Sequence, residues 1–337
     1  MPLLLHVVLP LYSLTAAVLV WSVFVRNGGL DTINQAIEHG RYPEGEAGAT
    51  RFTGLGAVDD ALMSLVAFNL PVLNAGFDVG RLFMAQFVAG VSVVVFILSV
   101  EGRRGRRSSL VFMAWGLASQ LATSAIVLPL YLLVHTRRGR KAKGRGSVSP
   151  HAALCALPSH LLGYGVPAAM MFDPLDQGPH AKSLWALMFA LCPLTIALCT
   201  RAVRALLPRA STTKAGYNAL QMGYGIVGAV AAAFHVMTVV KAIAQPASLL
   251  AGLLSLELYP DMLRDKILTF LKLDYLITFA ALLTWAYSEV RDIYRGRPLL
   301  LLGMFAVGTV VVGPGATAAV ACLVREAGLN RGNVKSG

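Results

Sequence analysis

The residues with the clearest potential for chemistry in this chain are carboxylates that lie in or beside long apolar runs. They are Asp59, Asp60, Glu101, Asp274 and Glu289. An ionised acid in hydrocarbon costs at least ~2.5 to 3.5 kcal/mol, so such acids are rare unless they face a protein interior, pair with a cation or stay protonated. A carboxyl group that burial keeps protonated near neutral pH can serve as a proton donor.

The sequence surroundings of these acids differ. Lys272 can extend to the headgroups, but Asp274 lies about one helical turn inside the apolar run, and we favour a role in the site over a purely structural hydrogen bond. Glu101 ends a run before an arginine cluster, so a surface ion pair and a proton donor at a cavity mouth are equal alternatives. Asp59 and Asp60 fit a helix start, where carboxylates meet the positive end of the dipole. That structural role is stronger for Asp60, and Asp59 stays a candidate for the site.

Histidine and aromatic side chains extend the candidate site. His235 lies within an apolar run, where it either packs as a neutral residue or relays a proton, and we favour the relay. Glu289 lies near Arg291 at the end of a run, where an interfacial ion pair is the simpler interpretation. Aromatic rings can line a cavity and stabilise a cation by ~0.5 to 2 kcal/mol each, although most pack in the core or at the membrane interface. The aromatic candidates for substrate binding are Phe68, Trp115, Tyr224, Tyr275 and Trp285.

The spacing of the acids does not favour a metal site. Asp59 and Asp60 resemble half of an acidic motif that binds magnesium around a diphosphate, but Met63 and Ser64 stand where a third carboxylate is needed. The four cysteines lie in apolar segments without C-x-x-C spacing, which argues against zinc and against a disulfide framework. We therefore predict no metal and no cofactor.

The elements that must position these residues are transmembrane helices. Of 337 residues, 56% are hydrophobic and 14% charged, and the mean hydropathy is +0.65. Runs of ~20 apolar residues satisfy their backbone in lipid only as helices. We predict an all-α, polytopic integral membrane helical bundle with eight or nine transmembrane helices in a single membrane domain over residues 1–337. The nine candidate runs are residues 3–25, 57–77, 82–100, 110–134, 152–172, 184–207, 217–240, 267–287 and 299–323.

The polar segments complete this organisation. The first run lacks a basic flank and a small-residue cleavage site, so we expect a retained span rather than a signal peptide. Residues 26–56 are predicted to form an extramembrane loop, and residues 324–337 a polar C-terminal tail. The run 57–77 is either a kinked span or a re-entrant helix. The net charge of +12 comes from short basic clusters, which is typical of loops against anionic lipid and not of nucleic-acid binding.

Several motifs, in their order and spacing, resemble segments of fungal membrane-bound terpene cyclases of the ascochlorin and ascofuranone type. The resemblance extends over residues 53–326. The motifs are TG at 53–54 with Asp59, LVAF at 65–68 with Pro71, VEG at 100–102 followed by arginines, WG at 115–116, LPLY at 128–131, FLKLDY at 270–275, GPGA at 313–316 and RE at 325–326.

The resemblance implies metal-independent cyclisation of a farnesyl chain carried on an aromatic or cyclohexenoid headgroup. The reaction would start by protonation of a terminal epoxide or, as in drimane-forming relatives, of a terminal alkene. Asp59, Glu101 and Asp274 stand at positions like those of the family's acids. We expect Asp274 or Glu101 to donate the proton, with His235 and Asp59 as orienting or relay groups.

The same resemblance implies the partners of the protein. We expect a prenylated lipophilic substrate, membrane lipid and, as a further candidate, an epoxidase of the same pathway in secondary metabolism. The expected location is the endoplasmic reticulum membrane.

Two other functions remain as alternatives. Intramembrane acids and a histidine would also suit a proton-coupled small-molecule transporter, although the chain shows no internal repeat of the kind common in such proteins. A prenyltransferase of the UbiA type needs two Asp-rich magnesium motifs, which this sequence lacks. We therefore favour the cyclase over both.

Overall fold

The computed structural model describes residues 2–39, 51–74, 76–104, 109–141, 148–172, 174–207, 212–244, 247–291, 293–294 and 297–335. Within these ranges the regular structure is all helical, as predicted. The helices are α1 (Pro2–Ala16, continued through a π-helical turn at Ala17–Trp21 into Ser22–Arg26), α2 (Gly29–His39), α3 (Gly56–Ala67), α4 (Asp78–Glu101), α5 (Ser109–Ala122), α6 (Ser124–Lys141), α7 (Pro150–His160, continued through a π-helical turn at Leu161–Gly165 into Val166–Met170), α8 (Pro179–Ala190), α9 (Cys192–Leu206), α10 (Thr213–Ala244), α11 (Ala247–Leu254), α12 (Leu263–Arg291), α13 (Pro298–Val311) and α14 (Pro314–Lys335).

Five helices are long and apolar enough to cross a membrane: α1, α4, α7, α10 and α12. The pair α8 and α9 is bent by 78° and makes a sixth if it is counted as one broken span. These numbers refer to the described part of the chain. The prediction of a helical bundle with membrane-spanning segments is supported, but the predicted count of eight or nine spans is not confirmed.

Three of the remaining apolar runs are broken near their middle. In the run 57–77, α3 ends at Ala67 and gives way to a 3₁₀ turn at Pro71–Leu73, because proline has no backbone N–H to continue an α-helix. In the run 110–134, Thr123 has a φ of 78°. A left-handed residue cannot continue a right-handed helix, so this run forms the two short helices α5 and α6.

The run 299–323 is broken at Gly313, which has a φ of 89°. A side chain at this position would lie 2.8 Å from the ring of His235, so both the backbone angle and the available space require glycine. After this turn α14 packs back against α13, with Gly308 close to Thr317. The run is therefore a helical hairpin. Neither of its two helices is among those long and apolar enough to cross a membrane.

One buried core joins the helices, and α4 lies at its centre. Almost every α4 residue from Leu82 to Glu101 is buried, and α4 packs against α7, α10, α12 and α14. In contrast, Leu301 is the buried residue of α13, while its apolar residues Leu299 and Val310 are exposed. An exposed apolar helix of this kind is suited to contact with lipid.

The segment that the sequence assigns to an extramembrane loop contains the helix α2. Its residues Ile33 and Ala36 are buried, and it packs against α3 and α12. The predicted C-terminal tail likewise belongs in part to α14, in which Arg325 and Glu326 are buried. Residues 40–50 lie outside the described ranges.

Close packing between α7 and α9 gives a first prediction. A Cβ at Gly163 would lie 2.6 Å from the backbone nitrogen and Cα of Ile196, and these atoms cannot rotate away. We expect Gly163→Ala to lower the free energy of unfolding by about 1 to 3 kcal/mol, measured by unfolding of the purified protein in detergent.

Gly225→Ala is the matched control. A Cβ at Gly225 meets nothing within 4 Å, so the same change in α10 should stabilise the protein by about 0.4 to 1 kcal/mol. Equal effects of the two substitutions would show that α7 and α9 are not packed as described.

Candidate active site

Asp274 is buried away from the cations in the described part of the chain. The residue is 5% exposed and lies in α12. Within the described ranges its carboxyl group forms no ion pair, because the neighbouring Lys272 points elsewhere: its Nζ donates to the carbonyl oxygens of Gly252 at 2.6 Å and Ser255 at 2.8 Å. Asp274 is therefore a buried acid without a compensating positive charge.

The break between α5 and α6 supplies hydrogen bonds to this acid. Since α6 starts directly after the strained residue Thr123, its first N–H groups have no partners within the helix. The N–H of Ala125 donates to Oδ1 of Asp274 at 2.6 Å, and the hydroxyl of Thr278 donates to the same oxygen at 3.3 Å. A positive φ is unusual for a β-branched residue, and strained backbone of this kind is concentrated at functional sites.

Asp274 lines a cavity of about 390 Å³, a volume within the usual range of small-molecule sites. The walls are formed by residues of α1, α2, α3, α4, α5, α6, α8 and α12 and of the segments that link them. Both aromatic and polar side chains line it. They are Trp21, Phe68, Phe87, Phe189 and Phe270 and, among the polar residues, Asn34, Ser64, Asn69, Ser119, Gln120, Thr123 and Ser124.

Three rings from different parts of the chain meet at one wall of the cavity. The ring centroids of Phe68 and Phe270 are 5.1 Å apart, and those of Trp21 and Phe270 are 5.4 Å apart. The Trp21 and Phe68 rings are 6.5 Å apart and meet edge to face. Because aromatic faces attract cations, this wall can stabilise positive charge that develops inside the cavity.

Glu101 lies in a buried ion cluster and is not among the residues that line this cavity. Nε of Arg104 lies 2.8 Å from both carboxylate oxygens, and Nη2 of Arg325 also donates to Oε1. Nε2 of His135 lies 3.0 Å from Oε2. Glu326 pairs with both arginines as well. Two guanidinium groups favour the ionised form of a carboxylate, which is the opposite of what a proton donor needs.

The ion cluster joins α4, α6, α12 and α14. From α12, Oε2 of Glu289 lies 3.5 Å from Nη1 of Arg325, and the ring of Trp285 lies 5.2 Å from the Arg325 guanidinium carbon. Burial lowers the pKa of Arg104, but Glu101 and Glu326 raise it, and the net result is a pKa above the usual range. The cluster is therefore a charged contact between helices.

Asp59 connects a loop to the start of α3 through hydrogen bonds. Its carboxylate accepts hydrogen bonds from the N–H groups of Phe52 at 3.1 Å, Thr53 at 2.7 Å and Gly54 at 2.9 Å, and from the Thr53 hydroxyl at 2.8 Å. Burial raises the pKa of Asp59, but these hydrogen bonds, led by those from Thr53, lower it below its ordinary value. Asp59 does not line the cavity, whereas Ser64 and Phe68 beyond it do.

His235 is linked to Tyr275 through Gln86. Its Nδ1 lies 3.1 Å from the amide nitrogen of Gln86, and its Nε2 lies 3.0 Å from the carbonyl oxygen of Val310. An amide nitrogen donates and a carbonyl oxygen accepts, so these partners define a neutral imidazole with its proton on Nε2. The Gln86 nitrogen also donates to the Tyr275 hydroxyl at 3.3 Å.

Of the aromatic candidates, Phe68 lines the Asp274 cavity. Tyr275 lies behind its wall, with its ring centroid 6.0 Å from that of Phe87. The others pack elsewhere: Trp115 against Tyr131 at 5.7 Å, Tyr224 against Phe96 at 5.2 Å and Trp285 against Arg325. The structure thus brings Phe68 and Asp274 together and places Glu101, Asp59 and His235 in other surroundings.

Sequence reasoning missed several residues of the cavity, although two signals pointed to them. Phe270 precedes Asp274 by four residues, so both lie on one face of a helix. Gln120 and Thr123 belong to a polar interruption of the apolar run 110–134. Trp21 gave no such signal, because its position in the cavity depends on the packing of α1.

A helical bundle with several membrane-length helices and a buried acid in an aromatic cavity is the arrangement expected of a membrane-bound terpene cyclase. Residues 5–329 match the family model described as the CtvD domain. The chain therefore belongs to this family, whose curated relatives below are fungal terpene cyclases.

Three relatives illustrate the similarity. Terpene cyclase rstn5 of Aspergillus nomiae is 36% identical over 332 residues, covering 95% of this chain and 93% of that protein. Terpene cyclase resF of Aspergillus sclerotiorum is 35% identical over 329 residues, covering 93% and 92%. A terpene cyclase of Pyrenophora dematioidea is 30% identical over 319 residues, covering 93% and 92%. No solved structure matches the chain.

These similarities confirm two of the predictions from sequence. The chain is a member of a fungal terpene cyclase family, and it is an enzyme that cyclises terpenoids. The transporter alternative gains no support from them.

The ion cluster gives a second prediction. Glu101→Gln would leave two buried arginines with too little negative charge, so we expect the free energy of unfolding to fall by about 3 to 5 kcal/mol, measured by denaturation in detergent. Glu38→Gln, on the exposed side of α2, should change it by no more than about 0.5 kcal/mol. A Glu101→Gln protein that is as stable as wild type but inactive would place Glu101 in the chemistry.

Proposed function

We propose that this protein cyclises a farnesylated aromatic or cyclohexenoid substrate, using Asp274 to protonate a terminal epoxide or terminal alkene. The observation that carries the proposal is the buried carboxyl group of Asp274, which lacks a cationic partner within the described ranges and lines an aromatic cavity. Burial without a cation favours the neutral carboxyl form. A neutral carboxyl group is the form that can donate a proton.

The proposed reaction is an isomerisation whose atoms and charges balance. The carboxyl proton moves to the epoxide oxygen as its C–O bond breaks, or to an alkene carbon as the π electrons form a C–H bond. The carbon left electron-poor is attacked by the π electrons of the next double bond, which closes a ring. The last cation loses a proton, which restores the overall composition of the substrate.

The hydrogen bonds of Asp274 suit this role. Because Ala125 and Thr278 both donate to Oδ1, we assign the transferable proton to Oδ2. After transfer, the Ala125 N–H at the start of α6 stabilises the carboxylate, as helix N-termini do for anions. The rings of Phe68 and Phe270 stabilise the cation.

The surroundings of the other candidate acids favour structural roles. Glu101 is paired with two arginines, and Asp59 accepts four hydrogen bonds from a loop. We assign His235 a positioning role, since it reaches Tyr275 through Gln86. Of the two donors considered from sequence, Asp274 therefore has the better environment.

A farnesylated substrate dissolves in lipid, and the five long apolar helices would place the cavity within reach of it. On this basis we propose that the enzyme works in the endoplasmic reticulum membrane, in meroterpenoid secondary metabolism. An epoxide substrate would require an epoxidase as the preceding activity.

The central test is the substitution Asp274→Asn. Asparagine keeps the shape of the side chain and can accept the hydrogen bond from Ala125, but it has no acidic proton. We expect the formation of cyclised product by microsomes to fall at least about a hundredfold, with unchanged amounts of protein in the membrane. The assay uses farnesyl and epoxyfarnesyl phenols, and the products are analysed by mass spectrometry.

Asp60→Asn provides the matched control, because Asp60 is exposed and the same change there should leave product formation intact. Unchanged product from Asp274→Asn would move the donor role to another acid. Product from only one of the two substrates would decide between epoxide and alkene protonation.

A second test concerns divalent metal. Because the proposed reaction starts with a proton and not with loss of a diphosphate, we expect microsomes treated with EDTA to keep full cyclase activity. Prenyl transfer that depends on Asp-rich magnesium motifs would stop under the same treatment and recover on addition of Mg²⁺. Loss and recovery of this kind would contradict the proposed mechanism.

A further inference from the structure

The central helix α4 separates two cavities. Phe87 and Val91 on one side line the Asp274 cavity. Val88 and Ser92 on the other side line a second cavity of about 430 Å³ between α4, α7 and α10. The proposed chemistry uses the first cavity and leaves the second without a role.

The second cavity has apolar walls and one buried polar pair. His160 is 1% exposed, and its Nε2 lies 2.8 Å from the hydroxyl oxygen of Ser92. Its Nδ1 is buried and has no hydrogen-bond partner among the described residues. An unpaired polar atom in an apolar interior is costly, so the pair of His160 and Ser92 is the polar point of an otherwise apolar cavity. The chemistry of the cavity therefore fits a molecule with an apolar body and a single polar group.

The rim of this cavity consists of apolar residues that the protein leaves exposed. Leu161, Ile226 and Val230 line it and are 45%, 38% and 43% exposed. They belong to α7 and α10, which are both long and apolar enough to span a membrane. Leu161 also begins the π-helical turn Leu161–Gly165, and such turns are frequent at functional sites. The cavity thus faces the surface that lipid would cover.

An aromatic pair stands between the two cavities. Tyr164 lines the second cavity and Phe189 lines the Asp274 cavity, and their ring centroids are 5.4 Å apart. The Tyr164 hydroxyl donates to the carbonyl oxygen of Val88 in α4 at 2.7 Å. The two spaces therefore share a wall that is two rings thick.

We propose that the second cavity is an access site that takes the enzyme's own prenylated substrate from the bilayer, with the polar pair of His160 and Ser92 next to an oxygen of the headgroup. This inference rests on the proposed function for the identity of the ligand. The shared wall of Tyr164 and Phe189 favours the substrate over bulk lipid, because the molecule held here lies next to the cavity in which the reaction is proposed.

The test places a large side chain at the wall of the cavity. A Cβ at Gly165, which lines the cavity, would have its nearest contact at 3.7 Å from Leu161, so the first atom of the side chain in Gly165→Phe meets no close contact. We expect kcat/KM for a farnesyl phenol to fall roughly tenfold or more, the range that a mismatched group costs an apolar pocket. Gly303→Phe is the control, since nothing lies within 4 Å of a Cβ there, and it should behave as wild type.

Binding is measured separately with a farnesyl phenol that carries a diazirine, photolysed with the purified full-length protein in lipid nanodiscs. We expect cross-links to residues 161–172 in wild type and in Asp274→Asn, and their loss in Gly165→Phe. His160→Phe keeps a ring between Phe96 and Tyr164 but removes both nitrogens. The cross-linking yield of His160→Phe should be equal for the phenol probe and for its methyl ether. In wild type the two yields should differ.

The outcomes separate this inference from the proposed function. Displacement of the probe by dioleoylglycerol as effectively as by unlabelled farnesyl phenol would overturn the access site in favour of a lipid groove. Equal kcat/KM for Gly165→Phe and Gly303→Phe would overturn it while leaving cyclisation at Asp274 intact. Labelling of residues 161–172 by a wild-type protein that forms no cyclised product would instead refute the proposed function alone.

Discussion

The buried ion cluster at the end of α4 is the interaction on which the arrangement of the bundle depends. Glu101 and Glu326 share Arg104 and Arg325, and the four residues join the end of α4 to α14. Removing a charge from water costs several kcal/mol, so these groups are tolerated only while their partners are held in place. Since α12 also contacts Arg325 through Glu289, the cluster sets the relative positions of the two helices, α4 and α12, that border the Asp274 cavity.

The contrast between Asp274 and Glu101 shows how the surroundings divide the tasks of two buried acids. Glu101 meets full positive charges and is held as a carboxylate. Asp274 meets the N–H of Ala125 at the start of α6, which offers only the partial charge of a helix end. A partial charge can support a carboxylate that forms during a reaction without removing the proton beforehand. The break at Thr123 is what brings this N–H to the acid.

The position of α4 between two cavities is suited to an enzyme with a lipid-soluble substrate. Neighbouring residues, such as Phe87 and Val88, point in different directions around the helix and belong to different cavities. The side with the acid is rich in aromatic rings, while the side with His160 has exposed apolar residues at its rim. On the proposed function, the chemistry and the access from lipid would lie on separate faces of one buried helix.

The sequence by itself determined the helical class and the family and made Asp274 a candidate, because composition, motif order and an acid within an apolar run are local properties of the chain. It did not determine the number of spans, since the breaks at Thr123 and Gly313 depend on neighbours such as His235. Nor did it distinguish Asp274 from Glu101 as a proton donor. Arg325 lies 224 residues from Glu101, and only tertiary packing brings these two charges together.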